Sequence, residues 1–144
     1  MTSYLLTDFN FTQAELKRLQ ILEKRYRNTA RDLITNRVSY YHTLTGGNYT
    51  SITIRDQKSR WGSCSSRGTL SFNYRLIFAP QDVLDYVVVH ELCHLTHMNH
   101  SKDFWNMVSC IMPGYKESKN WLREHGQELN LITYLENQGI PVKL

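Results

Sequence analysis

Two histidines four residues apart, with a glutamate after the first, carry the chemistry most readily read from this chain: His90-Glu91-Leu92-Cys93-His94 spells H-E-x-x-H. On an α-helix, residues four apart share a face, one turn or about 6 Å of rise from each other. Two imidazoles so placed can close on one metal ion, at about 2.0–2.1 Å per Zn–N bond. Glu91 reaches the position that the ligands leave open and can take a proton from water there. The spacing predicts a metal site with a general base beside it.

A third ligand must come from elsewhere in the chain. His97 continues the face of His90 and His94, but on one straight helix it lies too far along the axis to converge with them. His100 follows Met98-Asn99, where the helix can end and the chain turn back. The resulting H-E-x-x-H-x-x-x-x-x-H is also the ligand spacing of the metzincins, whose chain turns at a glycine between the second and third histidines. His97 occupies that glycine position, so the turn is expected nearer Asn99, which tolerates left-handed backbone. His100 is the expected third ligand, and His97 is expected behind the ligands or in the wall. Three neutral imidazoles with an open position favour Zn2+, one ion per chain. A closed structural site would need Cys93, which on a helix points roughly 100° away from His94.

Several elements have to hold these residues. Ala79-Pro80 predicts the start of the H-E-x-x-H helix, since a missing N–H costs nothing in the first turn. Val83, Val87, His90, His94 and His97 run down one face and Leu84, Val88, Leu92 and Leu95 down another, so the helix is expected to be buried. Burial must override the strand preference of Val87-Val88-Val89. Ser101 can cap the next helix, which carries Phe104, Trp105, Val108 and Ile111 and stops at Pro113-Gly114, leaving the two aromatics to pack behind His100. A last helix is expected from about Tyr115 to Leu129; the tail from Ile132 to Leu144 is uninformative, and Gly139-Ile140-Pro141 suggests an irregular end.

Upstream, residues 1–10 read as an extended lead-in. Thr12-Gln13-Ala14-Glu15 is a capping box that opens a helix through Leu16, Leu19, Leu22, Tyr26, Ala30, Leu33 and Ile34. This helix continues past Tyr40-Tyr41 and breaks at Gly46-Gly47. Its cations Lys17, Arg18, Lys24, Arg25, Arg27 and Arg31 suit a solvated outer face, or a surface laid on nucleic acid. Tyr49 to Arg55 and Thr69 to Tyr74 alternate as strands, with a turn at Ser65-Ser66-Arg67-Gly68, and two or three antiparallel strands are expected. The fold class is α+β. The chain is expected to form one domain, with a helical part over 1–47, a hydrolase core over 48–130 and a tail over 131–144.

Of the 144 residues, 41% are hydrophobic and 21% charged, which fits a folded protein and not a disordered one. No apolar run approaches the ~20 residues of a membrane span. No signal peptide is visible, and three cysteines, Cys64, Cys93 and Cys110, without C-x-x-C spacing, suggest reduced thiols in a cytoplasm. Cys64 is read as a structural thiol, because no histidine–asparagine pair suits a thiol nucleophile. A net charge of +4 and a pI of 9.0 admit nucleic acid as a partner without requiring it.

Several further motifs point to a family. Ile54-Arg55-Asp56-Gln57-Lys58-Ser59-Arg60-Trp61-Gly62-Ser63-Cys64, Asn73-Tyr74-Arg75-Leu76, His90-Glu91-Leu92-Cys93-His94, His100-Ser101-Lys102-Asp103-Phe104-Trp105 and Met112-Pro113-Gly114-Tyr115 occur in this order. Residues from about Ile54 to Gly126 thereby resemble the YgjP-type metallopeptidase-like domain, a relative of the SprT and WLM zinc proteases. The resemblance implies a zincin-like fold with a small antiparallel sheet beside the metal-binding helix. It also implies His90, His94 and His100 as ligands and Glu91 as general base.

The leading functional expectation is a zinc metallopeptidase acting on an extended peptide or protein substrate laid along an edge strand, for which Thr69 to Tyr74 is the candidate. Arg60, His97 and Tyr115 are candidates for stabilising the oxyanion, and Asn73 for a supporting or substrate contact. One alternative is a nucleoside triphosphate hydrolase using Arg55, Lys58, Arg60 and Arg67 on phosphate. Another is a DNA-associated zinc protein of the SprT type.

Overall fold

The longest element starts at the capping box. Thr12 Oγ1 accepts from the Glu15 N–H at 3.2 Å, and Glu15 Oε1 accepts from the Thr12 N–H at 2.8 Å. Helix α1 (Gln13–Thr45) follows and turns a stripe of Leu19, Ala30, Ile34, Val38 and Tyr41 inward. Gly46 and Gly47 stop it at φ 65° and 81°, a region that side-chain-bearing residues avoid. A Cβ on Gly47 would also stand 2.9 Å from Leu95 Cβ, so the breaker packs directly under the segment that follows the H-E-x-x-H helix. The computed structural model describes residues 10–143, so the expected lead-in, apart from Asn10, lies outside the described residues.

Three strands follow: β1 (Ser51–Arg55), β2 (Gly62–Cys64) and β3 (Thr69–Asn73), in the order β1-β3-β2. The β2–β3 pair is the expected antiparallel hairpin, with Ser63 opposite Ser71. β1 instead runs parallel to β3, from Ser51 opposite Thr69 to Arg55 opposite Asn73. The sheet is therefore mixed, not antiparallel. The link from Asp56 to Trp61 carries the chain past the place of the middle strand, β2 runs back, and β3 inserts between them. Link, β2 and turn together form the crossover that two parallel strands require. This order also corrects the expected docking edge: β3 is central, with Leu70, Ser71, Phe72 and Asn73 all buried, and β2 is an outer strand.

The link is pinned from beneath. Asn73 donates through Nδ2 to the carbonyls of Gln57 (2.7 Å) and Arg60 (3.1 Å). Arg75 Nε meets Asp56 Oδ1 at 3.0 Å, with both side chains buried. Asn73 thus serves the backbone that leads into β2.

After a 3-10 turn (Tyr74–Phe78), Pro80 stands as the N-cap itself, one position earlier than the first helical residue. Helix α2 (Gln81–Cys93) is buried from Val83 to Val89 and again at Glu91, Leu92 and Cys93, as its two apolar faces require. Arg37 of α1 forks onto Asp85 of α2, Nε to Oδ1 at 2.8 Å and the terminal nitrogen to Oδ2 at 2.9 Å, and Tyr41 OH adds 3.1 Å to Oδ2. Ser101 Oγ accepts from the Phe104 N–H at 3.2 Å and caps α3 (Lys102–Ile111).

Helix α4 (Tyr115–His125) is shorter than expected, because a 3-10 turn, Gly126–Glu128, replaces its last turn. The tail that the sequence leaves unread contains α5 (Leu131–Asn137), capped by Asn130 Oδ1 accepting from the Thr133 N–H at 2.8 Å, and the chain is irregular past it, from Gly139 on. Its Leu131, Ile132 and Leu135 meet Leu19 and Val142 in a second, smaller core, while the main core surrounds α2. No described helix is long and apolar enough to cross a membrane.

Candidate metal centre

Helix α2 sets His90 and His94 one turn apart. The chain then loosens, with Leu95 N bonded to Leu92 O and Thr96 N to Cys93 O, before turning into α3. This turn needs no left-handed residue: none of the described non-glycine residues has positive φ, Asn99 included. The expectation of left-handed backbone at Asn99 is thereby corrected. Successive i to i+3 bonds bend the chain gradually instead, and His100 arrives at the start of α3 facing the other two imidazoles.

The three Nε2 atoms form a nearly equilateral triangle: His90–His94 3.2 Å, His94–His100 3.1 Å, His90–His100 3.1 Å. Among the described residues, this is the one group of three or more His, Cys, Asp or Glu side chains with ligand atoms close enough to share an ion. The outer nitrogens indicate which way the lone pairs point. His94 Nδ1 lies 2.9 Å from the carbonyl of His97, which only accepts, so Nδ1 carries the proton and Nε2 is bare. His90 Nδ1 meets Tyr86 OH at 3.2 Å. Bare lone pairs converging at this distance repel one another unless a cation lies among them. A set of three imidazoles is the kind of donor group that zinc takes in open sites, so the residues fit the ion.

Aromatic rings fix the triangle from behind. Phe104 stacks on His94 at 4.4 Å, and Trp105 stacks on His100 at 5.7 Å with 22° between planes. Tyr115 extends this pile, stacked 5.4 Å from Trp105 and 6.3 Å from Tyr86. Burial, the neighbouring imidazoles and Lys119 push His90 from its ordinary 6.5 down to about 3. Burial, then His94 and Lys119, also lower His100. His90 therefore stays neutral and available as a donor well into the acid range, and His100 is shifted in the same direction.

Glu91 is buried in the cleft, and burial lifts its carboxyl from 4.5 to about 8 against the opposing pull of Arg60. β2 crosses directly over it: a Cβ on Gly62 would sit 2.9 Å from both Glu91 Cγ and Oε2. Two adjoining cavities share Gly62, His90 and Glu91. One, of about 350 Å³, opens toward Arg60, Cys64, His94 and His100. The other, of about 290 Å³, opens toward Trp61, Leu122, Lys119 and Arg123.

The remaining sequence candidates separate clearly. Arg60 lines the cleft, whereas His97 reaches the site through its backbone carbonyl. Cys93 is fully buried in the main core and its thiol is pushed up to about 12 by burial, so it cannot close the site as a fourth ligand. Cys64 is half-buried on the cleft wall, its thiol raised by burial and then by Glu91. Sequence reasoning missed Tyr86, although it stands one turn before His90. It also missed Lys119 and Arg123, which only tertiary structure brings here.

The fold is similar to that of two solved metallopeptidase zymogens. Abylysin of Pyrococcus abyssi shares 23% identity at a TM-score of 0.56, over 65% of this chain and 93% of its own. Jannalysin of Methanocaldococcus jannaschii shares 22% at 0.55, over 63% and 94%. At these identities the likeness is one of fold, here α+β and zincin-like. Comparison with curated proteins gave no match. A family model described as YgjP-like, metallopeptidase domain, spans residues 3–125 and so includes the histidine triangle, Glu91 and the strand above them. On that match the chain belongs to the YgjP-like metallopeptidase family and is a metal-dependent hydrolase.

Proposed function

We propose that the chain hydrolyses peptide bonds with one zinc ion held by His90, His94 and His100, and with Glu91 as general base. The triangle of converging imidazole nitrogens, opening into a cleft that Glu91 shares, carries this reading. When bound, zinc supplies Lewis acidity, polarising a carbonyl and bringing the pKa of water toward ~7. Glu91 orients the attacking water, accepts its proton and passes it to the amine nitrogen as the C–N bond breaks.

The substrate lies extended against β2. Trp61 O accepts from Asn73 N, and Ser65 N donates to Thr69 O, so Trp61, Ser63 and Ser65 bond inward. By alternation, Gly62 and Cys64 turn their N–H and C=O groups away from β3, ready to pair with a peptide. Arg60 lines the cleft and acts on Glu91, which supports it over Tyr115 and His97 as the cation near the developing oxyanion. The phosphoanhydride reading has less support, since of Arg55, Lys58, Arg60 and Arg67 only Arg60 lines either cavity.

The test is Glu91→Gln. It should retain one zinc per chain by elemental analysis and lose at least about a hundredfold in kcat on peptide substrates. Alanine at His90, His94 or His100 should lower zinc content, while His97→Ala should keep it, because His97 contributes a carbonyl. Normal turnover by Glu91→Gln would overturn the assignment.

A further inference from the structure

The cavity on the His90 side of the cleft has an apolar floor and a cationic rim. Trp61, Val87 and Leu122 supply the floor, and Lys119 and Arg123, one turn apart on α4, supply the rim. Lys119 is held in place, its Nζ 4.3 Å from the centre of the Trp105 ring. Elsewhere in the fold, Arg37 is paired with Asp85 and Arg75 with Asp56. Among the described residues, neither Lys119 nor Arg123 is paired with a carboxylate. Glu91 is the single acid in the lining. Glu124 and Glu128 are turned to His125, at 3.9 and 3.4 Å. About 290 Å³ is room for one side chain.

We propose that this cavity is a specificity pocket for a carboxylate on a short apolar stem, on the substrate residue that flanks the scissile bond on the His90 side, with Lys119 and Arg123 as its recognition residues. The stem lies on Trp61, Val87 and Leu122, and the carboxylate meets the two cations at the rim. The proposal rests on the peptidase reading, and the pocket takes either the side chain of Glu or Asp or the carboxylate of a chain end.

The experiment compares end-blocked peptides that differ only in Glu against Gln at that residue, and a second pair that ends there with a free or an amidated carboxyl. Because both cations are exposed, the expected preference in kcat/KM is modest, about tenfold, and it shrinks at high salt. It disappears in Lys119→Gln/Arg123→Gln, and Lys119→Glu/Arg123→Glu turns it toward Lys over Gln, which a merely structural defect would not do. The free-against-amidated pair tells a chain end from a side chain. The same labelled peptides are titrated into zinc-loaded Glu91→Gln and followed by anisotropy. Equal cleavage within both pairs, Glu against Gln and free against amidated, would overturn the pocket and leave the peptidase reading standing. No cleavage, with about tenfold tighter binding of the Glu peptide, would keep the pocket and overturn the peptidase reading. Equal binding within both pairs, without cleavage, would remove both.

Discussion

Gly62 has to lack a side chain for Glu91 to sit where it does. A methyl group there would be 2.9 Å from two atoms of the Glu91 side chain and 3.1 Å from Val87 Cγ1. Gly62→Ala should therefore push the carboxyl aside and lower kcat/KM by about ten- to a hundredfold, with zinc content and Tm little changed. Undiminished activity would show that the observed carboxyl position is not the working one. At this scale much of the site was legible in the sequence. His90 and His94 are separated by the helix period itself, and His100 is the histidine that can converge with them. The proton of His94 was not legible, because it is set by the carbonyl of His97, and a backbone acceptor leaves no mark on residue type. Asn99 misled because its tolerance of left-handed backbone is a permission and not a requirement.

The link between β1 and β2 decides where Arg60, Trp61 and Gly62 stand, and a buried ion pair fastens it. Arg75→Met leaves Asp56 buried without its partner, and a loss of roughly 3–5 kcal/mol in unfolding free energy is expected by chemical denaturation. The paired change Asp56→Leu/Arg75→Met should recover part of that loss. A single variant as stable as the parent would mean that the pair carries no structural role. Helices were legible where caps and apolar stripes agreed, as at Thr12 and Ser101. Strand direction was not, because alternating residues look the same whichever way a strand runs, and only the crossover through β2 makes β1 and β3 parallel. α5 had a readable cap in Asn130, but its few apolar residues find their partner in Leu19, far away in the chain.

For the whole molecule, the cluster makes metal-free stability depend on pH in two opposing ways. His90 falls from 6.5 to about 3 in the folded state, so as pH drops below about 6.5 the unfolded chain gains a proton that the folded one refuses, and stability decreases. Glu91 rises from 4.5 to about 8, so as pH climbs between those values the unfolded chain sheds a proton that the folded one keeps, and stability again decreases. Tm measured in chelator should peak between about pH 4.5 and 6.5 and fall on either side. Glu91→Gln should remove only the alkaline decline. A Tm that climbs steadily to pH 8 would contradict the buried, protonated carboxyl.

α1 threads both apolar clusters, and Tyr26 and Phe78 border each of them. Only the larger cluster backs the histidine triangle. The end built from α5 and the start of α1 can therefore fray and re-form while the rings around the ion keep their places, and what a bound cation adds to rigidity is confined to the half of the long helix that faces α2.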